Sequence, residues 1–598
     1  MSGPDSTGAP RWSLESIYPA LDSSEFETAI VRLTETISQS RSLIGDETRR
    51  RSDAAGWLQE VLSGLNRADD LFETLESYCY SSYSVDTGDE KATAALNRVG
   101  EIGVPLAELA AEFRNALATI DTTMEKLTGE DDELAGYRWI LEEELFLQAR
   151  QMSIAEEGVA ADLNRSGADA WSRLQETISS GLEEVWDEGT GERKTVVQLR
   201  SLALDADRAV RRKAWEKERA AWKRVEIPLA FAINGVKGSS HTLNTRRGWK
   251  STLERSTHQS RLSPKALDAL IDTMRESLPT FRRYFHAKAR ALGLERLSFY
   301  DLFAPVGEST TMWNFATAIE FIREQFASFD PEQAQFVADA ADAAWIDAEP
   351  RSGKVGGAYC IDFPVAGESR ILSNFNGAYD DVVTLAHELG HAWHSHQMRA
   401  LPAAQRHYPM TLAETASIFS ETLVFYSTVA RSEGAEELYV IEQFLQGAGQ
   451  VIVDILSRFD FERALMERRA TGEVPARQLC EMMIDAQKGT YGNGLNAEEL
   501  HPYMWAVKGH YYRQDLAFYN FPYAFGQLFG LGLYDRYERE PNGFAARYRT
   551  ILRETGRRDA VAVTRSAGCD IESKAFWHSA MGRIAGLVDR FETLVDAT

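Results

Sequence analysis

Two histidines four residues apart, His387 and His391, constrain the fold of this 598-residue chain more than any other pair. Both imidazoles reach one metal ion only if His387-Glu388-Leu389-Gly390-His391 is helical, because positions four apart then lie one turn apart on one face. Glu388, beside the first histidine, stands where a carboxylate can accept a proton from water. The lead-in agrees with a helix. Asp380 and Asp381 suit its N-terminus, and Val382, Val383, Leu385 and Ala386 supply apolar positions. A five-residue match also arises by chance, so the rest of the chain has to decide.

Hydrophobic content of 44% with 26% charged residues describes a soluble globular protein, and its length allows several cores. A formal charge of −25 argues against nucleic acid, whose phosphates need clustered Lys and Arg. The first ten residues lack the basic-then-apolar pattern of a secretory signal, and no apolar run approaches a membrane span. Cys79, Cys360, Cys480 and Cys569 match neither a zinc spacing nor a disulfide framework. The expectation is a cytoplasmic protein with reduced thiols and neither membrane nor nucleic-acid partners.

Most of the chain reads as helix, with apolar residues at three- and four-residue spacing, as in Leu58-Val61-Leu62-Leu65. Ser263-Pro264 and Asp330-Pro331-Glu332 are helix starts, a capping side chain followed by proline at the first helical position. The periodicity breaks at 350–378. Two β-like runs there, 358–363 and 370–375, flank a turn at Pro364 and Gly367 and predict a hairpin directly before the His387 helix. Such a strand edge can take an extended peptide by backbone hydrogen bonds, with Gly356, Gly357, Ala358, Tyr359 and Asn374 as candidate contacts. The expected organisation is a flexible tail at 1–12, a helical N-terminal region at 13–200 and a motif-bearing region at 201–598.

Catalytic zinc usually takes three protein ligands. The longer HExxHxxGxxH pattern is excluded, because His394 and Gln397 occupy its last two defined positions. His394 lies roughly 10 Å along the axis from His387, too far to share the ion, and is expected as a neighbour supporting the site from the same helix face. His396 is expected in a surface or packing role. A carboxylate on a following helix remains, and Glu414 fits: small residues Ala413, Ala416 and Ser417 around it indicate close helix packing. Glu421, seven residues on, can hydrogen-bond a ligand imidazole or Glu414.

His-Glu-Leu-Gly-His-Ala-Trp-His (387–394) followed by Ala-Glu-Thr-Ala-Ser (413–417) resembles the thimet-oligopeptidase family of zinc peptidases, in its oligoendopeptidase F branch. Leu389 stands where that family usually has Phe. The resemblance extends over about 240–535 and includes Leu297–Val306 and the Gly353–Cys360 run. It implies a mainly α, zincin-like fold with a small sheet beside the zinc site and a deep substrate channel between two halves. It also implies one zinc ion per chain on His387, His391 and Glu414, with Glu388 as general base.

The segment His510–Gly526 is dense in phenols. Aromatic stripes are usually core, but a Tyr hydroxyl can donate to the oxyanion formed when a peptide carbonyl is attacked. By the same resemblance Tyr519 and Tyr523 match the family's tyrosines and His510 its histidine, with Tyr511, Tyr512 and His501 as substitutes. The expected activity is zinc-dependent endopeptidase cleavage of oligopeptides. A carboxypeptidase on the same core and a non-catalytic peptide-binding protein are the alternatives. An intact Glu388 argues against the second, and the absence of a Gly-x-Met-Glu-Asn strand argues against an aminopeptidase.

Overall fold

The computed structural model describes residues 7–129, 132–308 and 311–597. It is mainly helical, as the periodicity predicts, and the chain divides into two compact units, each assembled from three separate segments. The first comprises Met1–Ala149, Thr311–Ser427 and Arg536–Gly568; the second Arg150–Thr310, Thr428–Asp535 and Cys569–Thr598.

In the first unit, helices Ser24–Ile44, Ala54–Val85 and Glu90–Leu117 pack around a core that includes Phe26, Leu33, Trp57, Leu58, Val61 and Leu75. The Asp53 carboxylate caps the Ala54–Val85 helix by accepting from the Gly56 N–H. Trp57, Leu58, Val61 and Leu62 recur at helical spacing on its buried face. Residues 1–6 of the expected tail lie outside the described residues. The carbonyl of Thr7 accepts from Phe315 and that of Pro10 from Ala348, each at 2.8 Å.

The predicted hairpin is present, inside a three-stranded sheet. Strand Glu368–Leu372 is central, antiparallel to Tyr359–Phe363 and parallel to Ile346–Asp347. Tyr359 pairs with Leu372 and Phe363 with Glu368. The second run begins and ends earlier than its sequence pattern suggests. Ser373 and Phe375 leave the hairpin partner but still donate to the carbonyls of Asp347 and Ala348 at 2.9 Å. A fully buried Lys354 ammonium ties this corner together, donating to Asp347 Oδ1 at 2.8 Å and to the Ser373 carbonyl at 2.5 Å.

The second unit is built on helices Arg208–Arg224, Glu226–Arg246, Ile455–Arg469 and Ala476–Tyr491, around Trp222, Leu229, Ile233, Phe461, Leu465 and Trp505. Two buried ion pairs cross its core, Lys237–Glu462 at 2.7 Å and Lys288–Glu442. The predicted caps form as read: Ser263 Oγ accepts from Ala266 N in this unit, and Asp330 Oδ1 from Glu332 N in the first.

Candidate metal centre

The histidine pair lies on the helix Tyr379–Met398 of the first unit. At its start the Asp381 carboxylate accepts from Asn376 N and Ala378 N at 2.8 and 3.0 Å, which fixes the helix entry from the sheet. Val382, Leu385, Ala386 and Leu389 are fully buried, so the opposite face presents His387 and His391, which are partly exposed.

Glu414 differs from its expected place within a helix. It occupies the break between a short turn of helix, Met410–Ala413, and the helix Thr415–Arg431. Ser417 Oγ donates to Glu414 Oε2 at 2.7 Å and steadies the carboxylate. Close approach of the two helices depends on Gly390. A Cβ there would lie 2.6 Å from Ser417 Cα and 2.7 Å from the Ala416 carbonyl oxygen. Small residues around Glu414 are therefore matched by the absence of a side chain on the histidine helix.

His387 Nε2 and His391 Nε2 are 3.0 Å apart, and Glu414 Oε2 lies 3.4 Å and 3.5 Å from them. Ligands about 2.0 Å from a tetrahedral ion sit roughly 3.3 Å from one another, so these three atoms have the spacing of one face of a zinc tetrahedron. The donor set, two imidazoles and a carboxylate, is one that could hold a metal ion. Glu421 hydrogen-bonds His387 Nδ1, which places the ring proton there and aims the Nε2 lone pair at the shared point.

Charge around the pair also suits a cation. Burial opposes an imidazolium at His387, but the Glu421, Glu414 and Glu388 carboxylates outweigh it and raise the group to about 9. Burial pushes Glu414 up, yet the His391 and His387 rings hold it at about 2. Glu388 moves the other way: burial and the neighbouring carboxylates raise it against the pull of both histidines. The most buried carboxylate of the three is thus the one best disposed to hold a proton transiently.

A cavity of about 530 Å³ adjoins the pair, lined by Gly357, Ala358, Ser373, Asn374, Phe375, Asp381, Val383, Thr384, His387, Glu388 and Glu421. A second, of about 300 Å³, is bounded by Ala358, Tyr359, Cys360, Asp362, Ser395 and Tyr408 around His387, Glu388 and His391. Gly356 immediately precedes the lining residues of the sheet loop. The Asn374 amide donates to Val355 O and Gly357 O, so its side chain braces that loop. The Tyr359 hydroxyl is 2.5 Å from Ser84 Oγ, which turns the side chain toward the helix Ala54–Val85. Asp362 and Tyr408 were not foreseen. They are far apart in sequence and follow no periodicity, and only the folded sheet and loop bring them to one wall.

His394 lies fully buried on the same helix. Its Nε2 lies 2.9 Å from Thr555 Oγ1 and 3.2 Å from the Leu552 carbonyl, and its ring stacks on Tyr408 with centroids 4.4 Å apart. It supports the helix from behind and hydrogen-bonds no member of the triad. His396 packs face to face on Trp393, as a packing residue would.

The match to known proteins follows this geometry. Residues 201–583 match peptidase family M3, and residues 117–183 match the Oligopeptidase F family. The chain belongs to peptidase family M3. Within this family it falls in the oligoendopeptidase F branch and is a metalloendopeptidase. It is 22% identical to Oligopeptidase PepF of Bacillus subtilis (strain 168) over 594 residues, covering 98% of this chain and 87% of that one. To an Oligoendopeptidase F homolog of Lactococcus lactis subsp. lactis (strain IL1403) it is 24% identical over 606 residues, covering 98% and 97%. The crystal structure of oligoendopeptidase-F from Enterococcus faecium shares the fold, with a TM-score of 0.71 at 19% identity and coverage of 97% and 100%. No helix among the described residues of this peptidase is long and apolar enough to cross a membrane.

The late residues belong to the second unit. Asn520 Nδ2 donates to His510 Nε2 at 2.8 Å, while Asn520 Oδ1 accepts from Arg458 at 3.2 Å, which fixes the amide and leaves the imidazole proton on Nδ1. Burial, reinforced by Arg458, Lys237 and Lys508, lowers His510 to about 2 and keeps it neutral. Tyr523 donates to the Tyr519 hydroxyl at 2.9 Å, so the Tyr519 proton is left for another acceptor. Tyr511 and Tyr512 are fully buried in the core, and His501 is enclosed beside Glu218 and Phe299.

Proposed function

We propose that this M3 peptidase is a cytoplasmic zinc enzyme that cuts internal bonds of oligopeptides. One zinc ion per chain would be held by His387 Nε2, His391 Nε2 and Glu414 Oε2. Bound there, it supplies Lewis acidity to the reaction. Glu388 takes the proton of the attacking water on its carboxylate and hands it to the leaving amine nitrogen, a transfer favoured by its raised pKa. Glu421 holds the His387 tautomer.

The free edge of strand Tyr359–Phe363, with the backbone of Gly356, Gly357 and Ala358, is assigned to hold the peptide as an added strand, and Asn374 to brace that loop. Hydroxyls of Tyr519 and Tyr523, with neutral His510, are assigned to the oxyanion by residue chemistry and family resemblance. The observation that carries the reading is the convergence of three ligand atoms at 3.0–3.5 Å beside a buried glutamate.

Cleavage of a mixed peptide library, mapped by mass spectrometry with and without chelator, tests it. Internal cuts abolished by the chelator are expected, whereas stepwise loss from one end would make the enzyme an exopeptidase. Glu388→Gln is expected to keep metal and lose nearly all hydrolysis. Retained turnover in that variant removes its role as base.

A further inference from the structure

Phe518, directly before Tyr519, has φ of +52°, a left-handed conformation that a bulky side chain rarely adopts. Its N–H donates to Glu462 Oε2 at 2.9 Å. The other oxygen of the same carboxylate binds Lys237 Nζ at 2.7 Å. Both ionic side chains are almost wholly excluded from solvent, at 2% and 0% exposure, so no water substitutes for either contact. One residue upstream, the Ala517 carbonyl accepts from Ser256 Oγ at 2.8 Å. The Phe518 ring packs on Phe459, with centroids 5.2 Å apart.

We propose that Glu462 is a positioning residue for the reaction: anchored by Lys237, it holds the Phe518 backbone in its strained turn and so fixes the direction of Tyr519. This rests on the oxyanion role assigned to Tyr519 above. A buried ion pair is weak evidence for stability by itself, because an apolar pair of similar volume often serves as well. Here the carboxylate also has a second task that an apolar residue cannot perform. The strained φ persists only where the surroundings over-determine it, and the contact available to the Phe518 N–H is this carboxylate. Without it the segment relaxes toward negative φ, and the Tyr519 side chain, attached one peptide further on, swings with it.

The test compares two replacements of the ion pair in the full-length, metal-loaded enzyme. Lys237→Met with Glu462→Gln removes both charges but keeps an oxygen to accept from Phe518. Lys237→Met with Glu462→Leu removes the charges and the acceptor together. The first pair is expected to retain kcat within about threefold. The second is expected to lower kcat by about 10- to 100-fold with KM and metal content unchanged. Adding Tyr519→Phe to the second pair should cost nothing more, because the hydroxyl is already misplaced.

Equal kcat in the two pairs overturns the proposal, and so does a Tyr519→Phe effect that adds in full. Should the leucine pair fail to fold, a loss of kcat in the glutamine pair overturns it equally. Hydrogen exchange over residues 513–521 gives a readout free of catalysis: faster exchange is expected in the leucine pair alone, and unaltered exchange overturns the clamp. Tyr519→Phe in the otherwise native enzyme tests the oxyanion role separately. An unaffected kcat there removes that role whatever Glu462 does.

Discussion

Replacing Gly390 by alanine should injure metal binding far more than it injures the fold. The new Cβ would meet Ser417 Cα at 2.6 Å, Ala416 O at 2.7 Å and Ala416 C at 2.9 Å, all three of them backbone atoms that cannot swing aside. Ordinary contact begins at 3.4 Å, so the two helices must part by 3.4 − 2.6, or about 0.8 Å. Overpacking of this kind costs about 1–3 kcal/mol, part of it returned because alanine favours helix by about 1 kcal/mol. A metal site tolerates only about 0.2 Å in ligand distance. Because His387 and His391 ride on one helix and Glu414 leads into the other, the displacement falls directly on the ligand triangle.

Metal affinity is therefore expected to drop by about 100-fold, measured by competition with a chromophoric chelator, while thermal unfolding still shows a cooperative transition. Gly582→Ala is the control, since a Cβ there meets nothing within 4 Å. Its affinity and activity should match the parent. A Gly390→Ala enzyme that holds metal within about twofold of the parent would refute the close-approach argument.

Glu421→Gln should weaken metal binding by about 10- to 100-fold, read by the same competition, because His387 loses the carboxylate that orients it. An unchanged affinity would separate Glu421 from the centre. Tyr519→Phe and Tyr523→Phe should each lower kcat more than they raise KM in steady-state kinetics, and unaffected kinetics in both would return the segment to the core. Burial alone would raise Glu218, but Arg200 at 3.1 Å and its neighbours hold it at about 2, below the ordinary 4.5. Its contribution to stability is complete above pH 4.5 and is lost as pH falls toward 2; Glu218→Gln should flatten denaturant-derived stability across that window.

The parts of the site that follow from short-range rules were legible in the sequence. Helical repeat places His387 and His391 on one face, and alternation around Pro364 gives the hairpin. Glu414 was a candidate by its distance from His391, its small neighbours and the family resemblance, although it sits at a helix break that no propensity marks. The partners of His394 were not legible, because a helix-face argument sees only its own helix, whereas they are Leu552 and Thr555. The Lys237–Glu462–Phe518 contact was invisible for the same reason, being a long-range tertiary arrangement of individually ordinary residues.

The three-segment construction of the first unit bears on the order in which the chain acquires activity during synthesis. The histidine helix is complete once Met398 has emerged, and the glutamate soon after. Leu552 and Thr555, which receive His394 behind that helix, come from the last segment of the same unit, Arg536–Gly568. A chain made only as far as Glu414 therefore holds all three candidate ligands but lacks the residues that hydrogen-bond His394 behind their helix.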